Sequence, residues 1–296
     1  MKLLITGASG LYGSKLAELA KDEQFQVYAV HNQHETAYGV PIQLDISDEK
    51  QVQKVFKTVN PEVVVHAATL TDVDKCELNK ELAWKINVEG TRNIALAAEA
   101  NKAFLMHIST DYVFDGEKGH YIETDLPSPI NYYGLTKLKA EEQVKAIISE
   151  YCIVRTSVLY GANPSAGKVN FALWLLNRLR NKEPVRIVTD QWNSPTLNTS
   201  LAEMTLEIIE RKLTGIYHLS GATRLNRFEF SNLLAKTFSL DASLIIPGAS
   251  SDFPWPAKRP KDSSLDTSRA QNMLKNKPLQ IDQALEKMKS ELQPLP

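Results

Sequence analysis

Continuous apolar runs of strand length punctuate the first half of the chain. They are "KLLIT" (2–6), "QVYAV" (26–30), "IQLD" (42–45), "EVVVHAA" (62–68), "FLMHIST" (104–110) and "YCIVRTSVLYG" (151–161). Stretches with helical spacing separate them, at about Leu11–Ala20, Glu49–Thr58, Leu82–Ala100 and Tyr132–Ile148. Strands without a polar face are covered on both sides, as in a parallel sheet with helices on each face. This alternation predicts an α/β fold, a doubly wound parallel sheet of Rossmann type. Beyond Gly161 the rhythm loosens. "NPSAGK" (163–168) predicts a turn, Val169–Arg180 a helix, "VRIVTD" (185–190) and "GIYHLSG" (215–221) strands, and "LNRFEFSNLLAKTF" (225–238) an amphipathic helix. A further helix should start within "SPTLNTSLAEM" (194–204), with Asn198, Thr199 or Ser200 as its cap. "SSDFPWPAKRPKDSS" (250–264), rich in Pro and Ser, predicts a binding loop. The expected division is a larger domain of residues 1–161 and 184–213, and a smaller lobe of 162–183 and 214–296.

Composition narrows the class. With 296 residues, 43% hydrophobic and 23% charged, the chain is long enough for a substantial core and ordinary for a soluble protein. A formal net charge of −1 gives no sign of a nucleic-acid partner. The charge is uneven: residues 1–161 hold 16 Lys and Arg against 22 Asp and Glu, residues 162–296 hold 18 against 13. A basic second part suits an anionic small molecule. Two cysteines make no disulfide framework, no run is long enough to span a membrane, and the apolar part of "MKLLITGASG" is too short for a signal peptide. A cytoplasmic protein is expected. The six histidines show no metal-ligand spacing, and His66 and His107 are expected to be packed or hydrogen-bonded.

"TGASGLYG" sets Gly7, Gly10 and Gly13 after the first strand and at a helix start, with Ser9, Leu11 and Tyr12 between and beside them. Gly7 permits a tight turn, Gly10 lets backbone approach a pyrophosphate, and Gly13 lets the helix pack close. The helix N-terminus offers free N–H groups to phosphate. The G-x-x-G-x-x-G spacing resembles the short-chain dehydrogenase/reductase superfamily. The second strand ends in "VYAVHNQH", with no acid for a free ribose 2′-OH, whereas His31 and Asn32 can donate to a 2′-phosphate. NADP(H) is therefore expected over NAD(H). In the same cleft Asp45 and Ile46 are placed for adenine, and Ala67 and Ala68 allow close approach. Asn87 sits inside a long helix, a poor place for Asn by propensity; the superfamily resemblance implies a part in proton relay.

In "NYYGLTKLK", Tyr133 and Lys137 are four residues apart and share a helix face, whereas Tyr132 diverges from Lys137 by roughly 140°. Spacing thus selects Tyr133 as proton donor and Lys137 as its neighbour. An adjacent ammonium should favour the phenolate. Ser109 and Thr110 close the preceding strand, at the sheet edge where ligands bind.

The blocks "STDYVFDG", "PSPINYYGLTKLKAEE", "IVRTSVLYG", "VTDQWNSPT", "GIYHLSG" and "RPKDSSLD" together resemble the dTDP-4-dehydrorhamnose reductase family, from Met1 to about Leu274. The resemblance implies NADPH-dependent reduction of the 4-keto group of a dTDP-linked 6-deoxy-4-keto-hexose. It implies that Thr110 bonds the keto oxygen, Tyr133 is the acid, and Lys137 holds the nicotinamide ribose. Asp111, Tyr112, Asn170, Trp192 and Arg259 would face the nucleotide sugar, Arg259 at its diphosphate. Arg155 is expected to be structural. The chain is also similar to the NADP-binding regulatory β-subunit of methionine adenosyltransferase, which implies a non-catalytic alternative. A homodimer stays open.

Overall fold

The computed structural model describes residues 1–23, 25–163, 165 and 168–292. Six strands alternate with helices: β1 (Lys2–Thr6), β2 (Gln26–His31), β3 (Val40–Gln43), β4 (Val63–His66), β5 (Phe104–Thr110) and β6 (Tyr151–Thr156). The strand Gly215–His218 completes a seven-stranded sheet in the order Gly215–His218, β6, β5, β4, β1, β2, β3, with every pairing parallel. The chain runs outward from β1 in one direction and from β4 in the other. The crevice above their carboxyl ends is the topological switch point, where doubly wound sheets bind ligands.

The helices are α1 (Leu11–Asp22), α2 (Glu49–Val59), α3 (Val73–Leu78), α4 (Lys80–Trp84), α5 (Gly90–Ala100) and α6 (Tyr132–Ile147). One core lies between the sheet, α1 and the helix Asn198–Arg211; the other face carries α2, α5 and α6. All four residues of β4 and all seven of β5 are buried, which is why no polar alternation marks them.

Three expectations shift. The single helix over Leu82–Ala100 is divided by a π-turn at Lys85–Glu89, which carries Asn87. The run 151–161 is divided at Val158, which has φ +22°, and Leu159–Tyr160 pairs instead with Thr196–Leu197. A positive φ on a β-branched residue is an outlier that only a tightly held turn sustains. The helix Asn198–Arg211 has no side-chain cap because Leu197 holds the cap position; the Asn198 Oδ1 accepts from Thr199 N at 2.9 Å and its Nδ2 donates to the Leu11 carbonyl at 3.0 Å. Of the turn expected over 163–168, residues 164, 166 and 167 lie outside the described residues.

The domain division also moves. Val185–Val188 pairs with Ile245–Gly248 and packs in the small lobe with the helices Phe171–Arg180, Arg227–Thr237 and Ile281–Glu291. Gly215–His218 joins the main sheet, and Ala270 and Leu274 pack into the main core. Short apolar strands such as "VRIV" and "GIYH" are alike by pattern, so only their pairing partners assign them.

The inner face of α6 is polar. Glu141 accepts two hydrogen bonds from Arg155 of β6, at 2.9 and 2.8 Å, and one from Ser109 of β5 at 2.6 Å. Both side chains are essentially out of water, 0% and 1% exposed. Burial pushes the Glu141 carboxyl up, but the Arg155 hydrogen bonds and charge, with Ser109, outweigh it and hold it below the usual range. A carboxyl lowered on folding adds stability above its unfolded pKa and loses it as pH falls. Arg155→Met strands a buried carboxylate and is expected to cost about 3–5 kcal/mol in urea unfolding. The double replacement Arg155→Met with Glu141→Leu should recover most of that loss; an equal or larger loss would mean the site resists repacking altogether.

Candidate active site

The first glycine turn is shaped for close approach. Gly7 has φ +70°, and a Cβ there would lie 2.8 Å from the Ala68 nitrogen. A Cβ on Gly13 would run into the Gly7 carbonyl oxygen. No side chain caps α1 at Gly10, which leaves the first-turn N–H groups without a side-chain acceptor. His31 ends β2, is 7% exposed, and its Nδ1 has no partner. Asn32 beside it is exposed. Ala67 and Ala68 hold their backbone against β1, both N–H groups donating to the Thr6 hydroxyl at 3.2 Å. A cradle that excludes side chains, free helical N–H groups and an unpaired buried ring nitrogen fit a dinucleotide carrying an extra phosphate.

Some expected cofactor residues sit elsewhere. Tyr12 is in the core, its hydroxyl bonded to Thr205 at 2.8 Å, so it offers only its backbone. Ile46 is buried against Gly90, where a Cβ would come within 2.8 Å of its Cδ1. Asp45 is exposed and accepts from Ser47 N and Oγ at 2.9 and 2.8 Å, a local turn. Ser9 and Leu11 are partly exposed in the glycine turn.

Asn131 caps α6, accepting from Gly134 N at 2.8 Å and donating to the Lys258 carbonyl at 2.9 Å. Gly134 matters because any Cβ there would strike the Tyr112 carbonyl oxygen. The helix start therefore packs directly on the segment after β5, and Tyr112 and Tyr133 meet edge to face at 6.0 Å. Sequence reasoning passed over both Asn131 and Gly134, although an Asn before a helix is a readable cap signal.

Lys137 is 2% exposed and donates to the Ile108 carbonyl at 2.7 Å; His107 Nε2 lies at 3.4 Å. Burial lowers its ammonium to about 8, with the Glu141 charge opposing. Tyr133 moves the other way. Burial raises its phenol, the Thr110 hydroxyl counters, and Asp111, Cys76 and Tyr112 add to the rise. The Lys137 ammonium donates to the Ile108 carbonyl, so burial rather than its charge governs the Tyr133 phenol and favours the protonated, donor form.

Asn87 is buried at the π-turn. Its Oδ1 accepts from Thr69 Oγ1 and Leu70 N, both at 2.7 Å, and its Nδ2 donates to Thr136 Oγ1 at 3.0 Å. It ties the loop after β4 to α6 rather than touching Lys137. The widened turn projects this amide inward, a common use of π-bulges at functional sites.

Asp111 was expected at the sugar but faces the interior. Its Oδ2 accepts from Ser157 and Ser263 at 2.8 and 2.6 Å, and its Oδ1 from Thr110 at 3.0 Å. Burial raises this carboxyl, with the Ser263, Ser157 and Thr110 bonds resisting. Asp111 thus orients Thr110. Asn170 is likewise spent, capping Leu173 N at 3.3 Å and donating to the Gly161 carbonyl at 3.0 Å. Trp192 pairs by backbone with Lys261, and the Arg224 guanidinium lies 5.1 Å from its ring. Arg259 is held by Asp74 of α3, its two terminal nitrogens at 3.0 and 2.8 Å from the carboxylate oxygens. It spans from the 250–264 loop to the dinucleotide side and faces an anion already present.

Arg227 went unnoticed in the sequence. With Tyr160, Phe171, Asn193 and Phe230 it lines a cavity in the small lobe. Its Nε and the Tyr160 hydroxyl are buried without partners. Burial raises the Tyr112 phenol, and the Arg227 guanidinium beside it counters. Arg227 thus stands between Tyr112 and a small apolar cavity. Among the described residues no group of three His, Cys, Asp or Glu could hold a metal, and no helix is long and apolar enough to cross a membrane.

Relatives place this arrangement. The chain is 32% identical over 277 residues, 93% of its length and 92% of the relative, to a probable low-salt glycan biosynthesis reductase of Haloferax volcanii. A dTDP-4-dehydrorhamnose reductase from Bacillus anthracis, solved in complex with NADP, superposes with a TM-score of 0.88 at 33% identity, covering 98% of this chain and 99% of that one. The methionine adenosyltransferase 2 subunit beta of Bos taurus is 32% identical over 279 residues, 92% of this chain and 82% of the relative. The model of the RmlD substrate binding domain matches residues 1–293, and the chain belongs to that family.

Proposed function

We propose that this chain is an NADPH-dependent reductase that converts the 4-keto group of a dTDP-linked 6-deoxy-4-keto-hexose, taking dTDP-4-dehydrorhamnose to dTDP-L-rhamnose. The observation that carries this reading is the juxtaposition of Tyr133 and the buried Lys137, one turn apart on α6, with Thr110 at the end of β5. NADPH, when bound, supplies a hydride. Gly7, Gly10, Gly13, the α1 N-terminus and the Ala67–Ala68 backbone hold it, and His31 with Asn32 meets the 2′-phosphate.

The chain's own work is proton delivery and orientation. With substrate bound, Thr110 turns its single hydroxyl hydrogen from Asp111 to the keto oxygen, and Ser157 and Ser263 keep Asp111 satisfied. Tyr133 gives its phenolic proton to that oxygen as the carbon receives hydride, so the carbonyl becomes an alcohol and Tyr133 is left as phenolate. Lys137, one turn along, stabilises that phenolate and the nicotinamide ribose. Tyr112 lines the sugar, Arg227 beside it meets the nucleotide end, and Trp192 packs nearby. Arg259 reaches the diphosphate by exchanging Asp74 for it, a bidentate site suited to either anion.

Tyr133→Phe is expected to lose turnover by about 100-fold or more while NADPH binding persists. An equal loss in Tyr132→Phe would sink the assignment. NADPH should bind more tightly than NADH in calorimetric titration, because nothing acidic ends β2; the reverse order would refute the role of His31 and Asn32. The decisive assay is NADPH oxidation with dTDP-4-dehydrorhamnose. Turnover supports the reductase. Silence, together with a methionine adenosyltransferase co-purifying with the chain, would support the regulatory reading that the bovine relative suggests.

A further inference from the structure

Two histidines form the floor beneath Lys137, and the proton transfer above uses neither. Their protonation can be assigned from their partners. Thr6 Oγ1 accepts from both Ala67 N and Ala68 N at 3.2 Å, which fills its acceptor capacity, so its hydrogen goes to His66 Nδ1 at 2.7 Å. His66 then carries its proton on Nε2 and donates to Thr91 Oγ1 at 3.0 Å; Thr91 in turn donates to the Asn87 carbonyl at 2.7 Å. His66 is neutral with both nitrogens satisfied.

The neighbouring His107 ring lies 5.4 Å away, centroid to centroid, and is fully buried. An ammonium only donates, so at His107 Nε2 the ring must accept from Lys137 and carry its own proton on Nδ1. That Nδ1 has no partner, and the ring keeps its orientation even so. The other charged and titratable groups around Lys137 are accounted for. Glu141 on α6 is taken by Arg155 of β6 and by Ser109, His66 on β4 is neutral, and Tyr133 sits one turn back. Burial and the Lys137 charge hold His107 well below its ordinary range, so it stays an acceptor across the working pH.

We infer that His107 is a positioning residue for Lys137: its neutral Nε2 and the Ile108 carbonyl take two of the three ammonium hydrogens, leaving the third for a ligand in the cleft. His107 thereby sets both the direction and the charge of the lysine without touching substrate. The kinetic consequence rests on the reductase reading; the titration of the lysine does not.

The test titrates Lys137 in the cofactor-free protein by NMR of lysine labelled with carbon-13 at Cε, the resonance being assigned by its loss in Lys137→Arg. An acceptor on the ammonium favours the charged form, so removing it lowers the lysine's pKa. In His107→Leu the midpoint should fall by about one pH unit, the scale of one hydrogen bond to a charged group. In His107→Gln, which restores an acceptor, it should stay near wild type. The basic limb of the kcat/KM profile should shift in parallel. If His107→Leu does not fold, His107→Met supplies the apolar comparison. An unchanged Lys137 midpoint in a folded apolar variant overturns the inference. A shifted midpoint in a protein with no keto-sugar turnover would preserve it and overturn the reductase reading instead.

Discussion

A carboxylate and a guanidinium, both withdrawn from water, fix the helix that carries the chemistry. Glu141 of α6 grips Arg155 of β6 and the Ser109 hydroxyl of β5, so helix and sheet cannot slide past one another without stranding a charge. Lys137 lies one turn before Glu141 and Tyr133 one turn before that. The positions of both follow from the clamp. At the helix start the grip is different: the Asn131 cap and the bare backbone of Gly134 seat α6 on the Tyr112 carbonyl. A helix held by a polar clamp in its middle and a steric fit at its end has little freedom to misplace its tyrosine.

Dehydration is the common thread of the site's electrostatics. It lowers Lys137 to about 8, raises Tyr133, and keeps His66 and His107 neutral. All four shifts oppose charge, which is what a site that moves a proton between neutral partners requires. Asp111 is drawn the same way, and three hydroxyls hold it in place.

The sheet and its carboxyl edge were legible because buried parallel strands read as unbroken apolar runs and the first glycines mark a turn that admits no side chain. Tyr133 and Lys137 were legible because helical spacing is rigid. What escaped were facts of pairing. "VRIV" and "GIYH" have the same pattern and join different sheets. Asp111, Asn170 and Arg259 have the chemistry of ligand contacts, yet in the fold two are consumed by hydroxyls and a helix cap, and the third by Asp74. Arg227 carries no local signal at all. Its importance comes from an apolar cavity assembled from residues about 70 positions apart in the chain. Spacing places the lysine near Tyr133, but only the fold shows that its ammonium points to the Ile108 carbonyl.

The Asp74–Arg259 pair has a consequence for selectivity. Arg259 has already surrendered its water to a carboxylate before any ligand arrives, so an incoming anion is not rewarded for neutralising a bare charge. It must outbid a two-pronged carboxylate that is tethered to the chain and present at high local concentration. A singly charged, one-oxygen anion loses that contest. On the proposed reading of Arg259 as a diphosphate contact, the pair would work as a threshold, discounting small anions and yielding to a group with several oxygens and more than one negative charge.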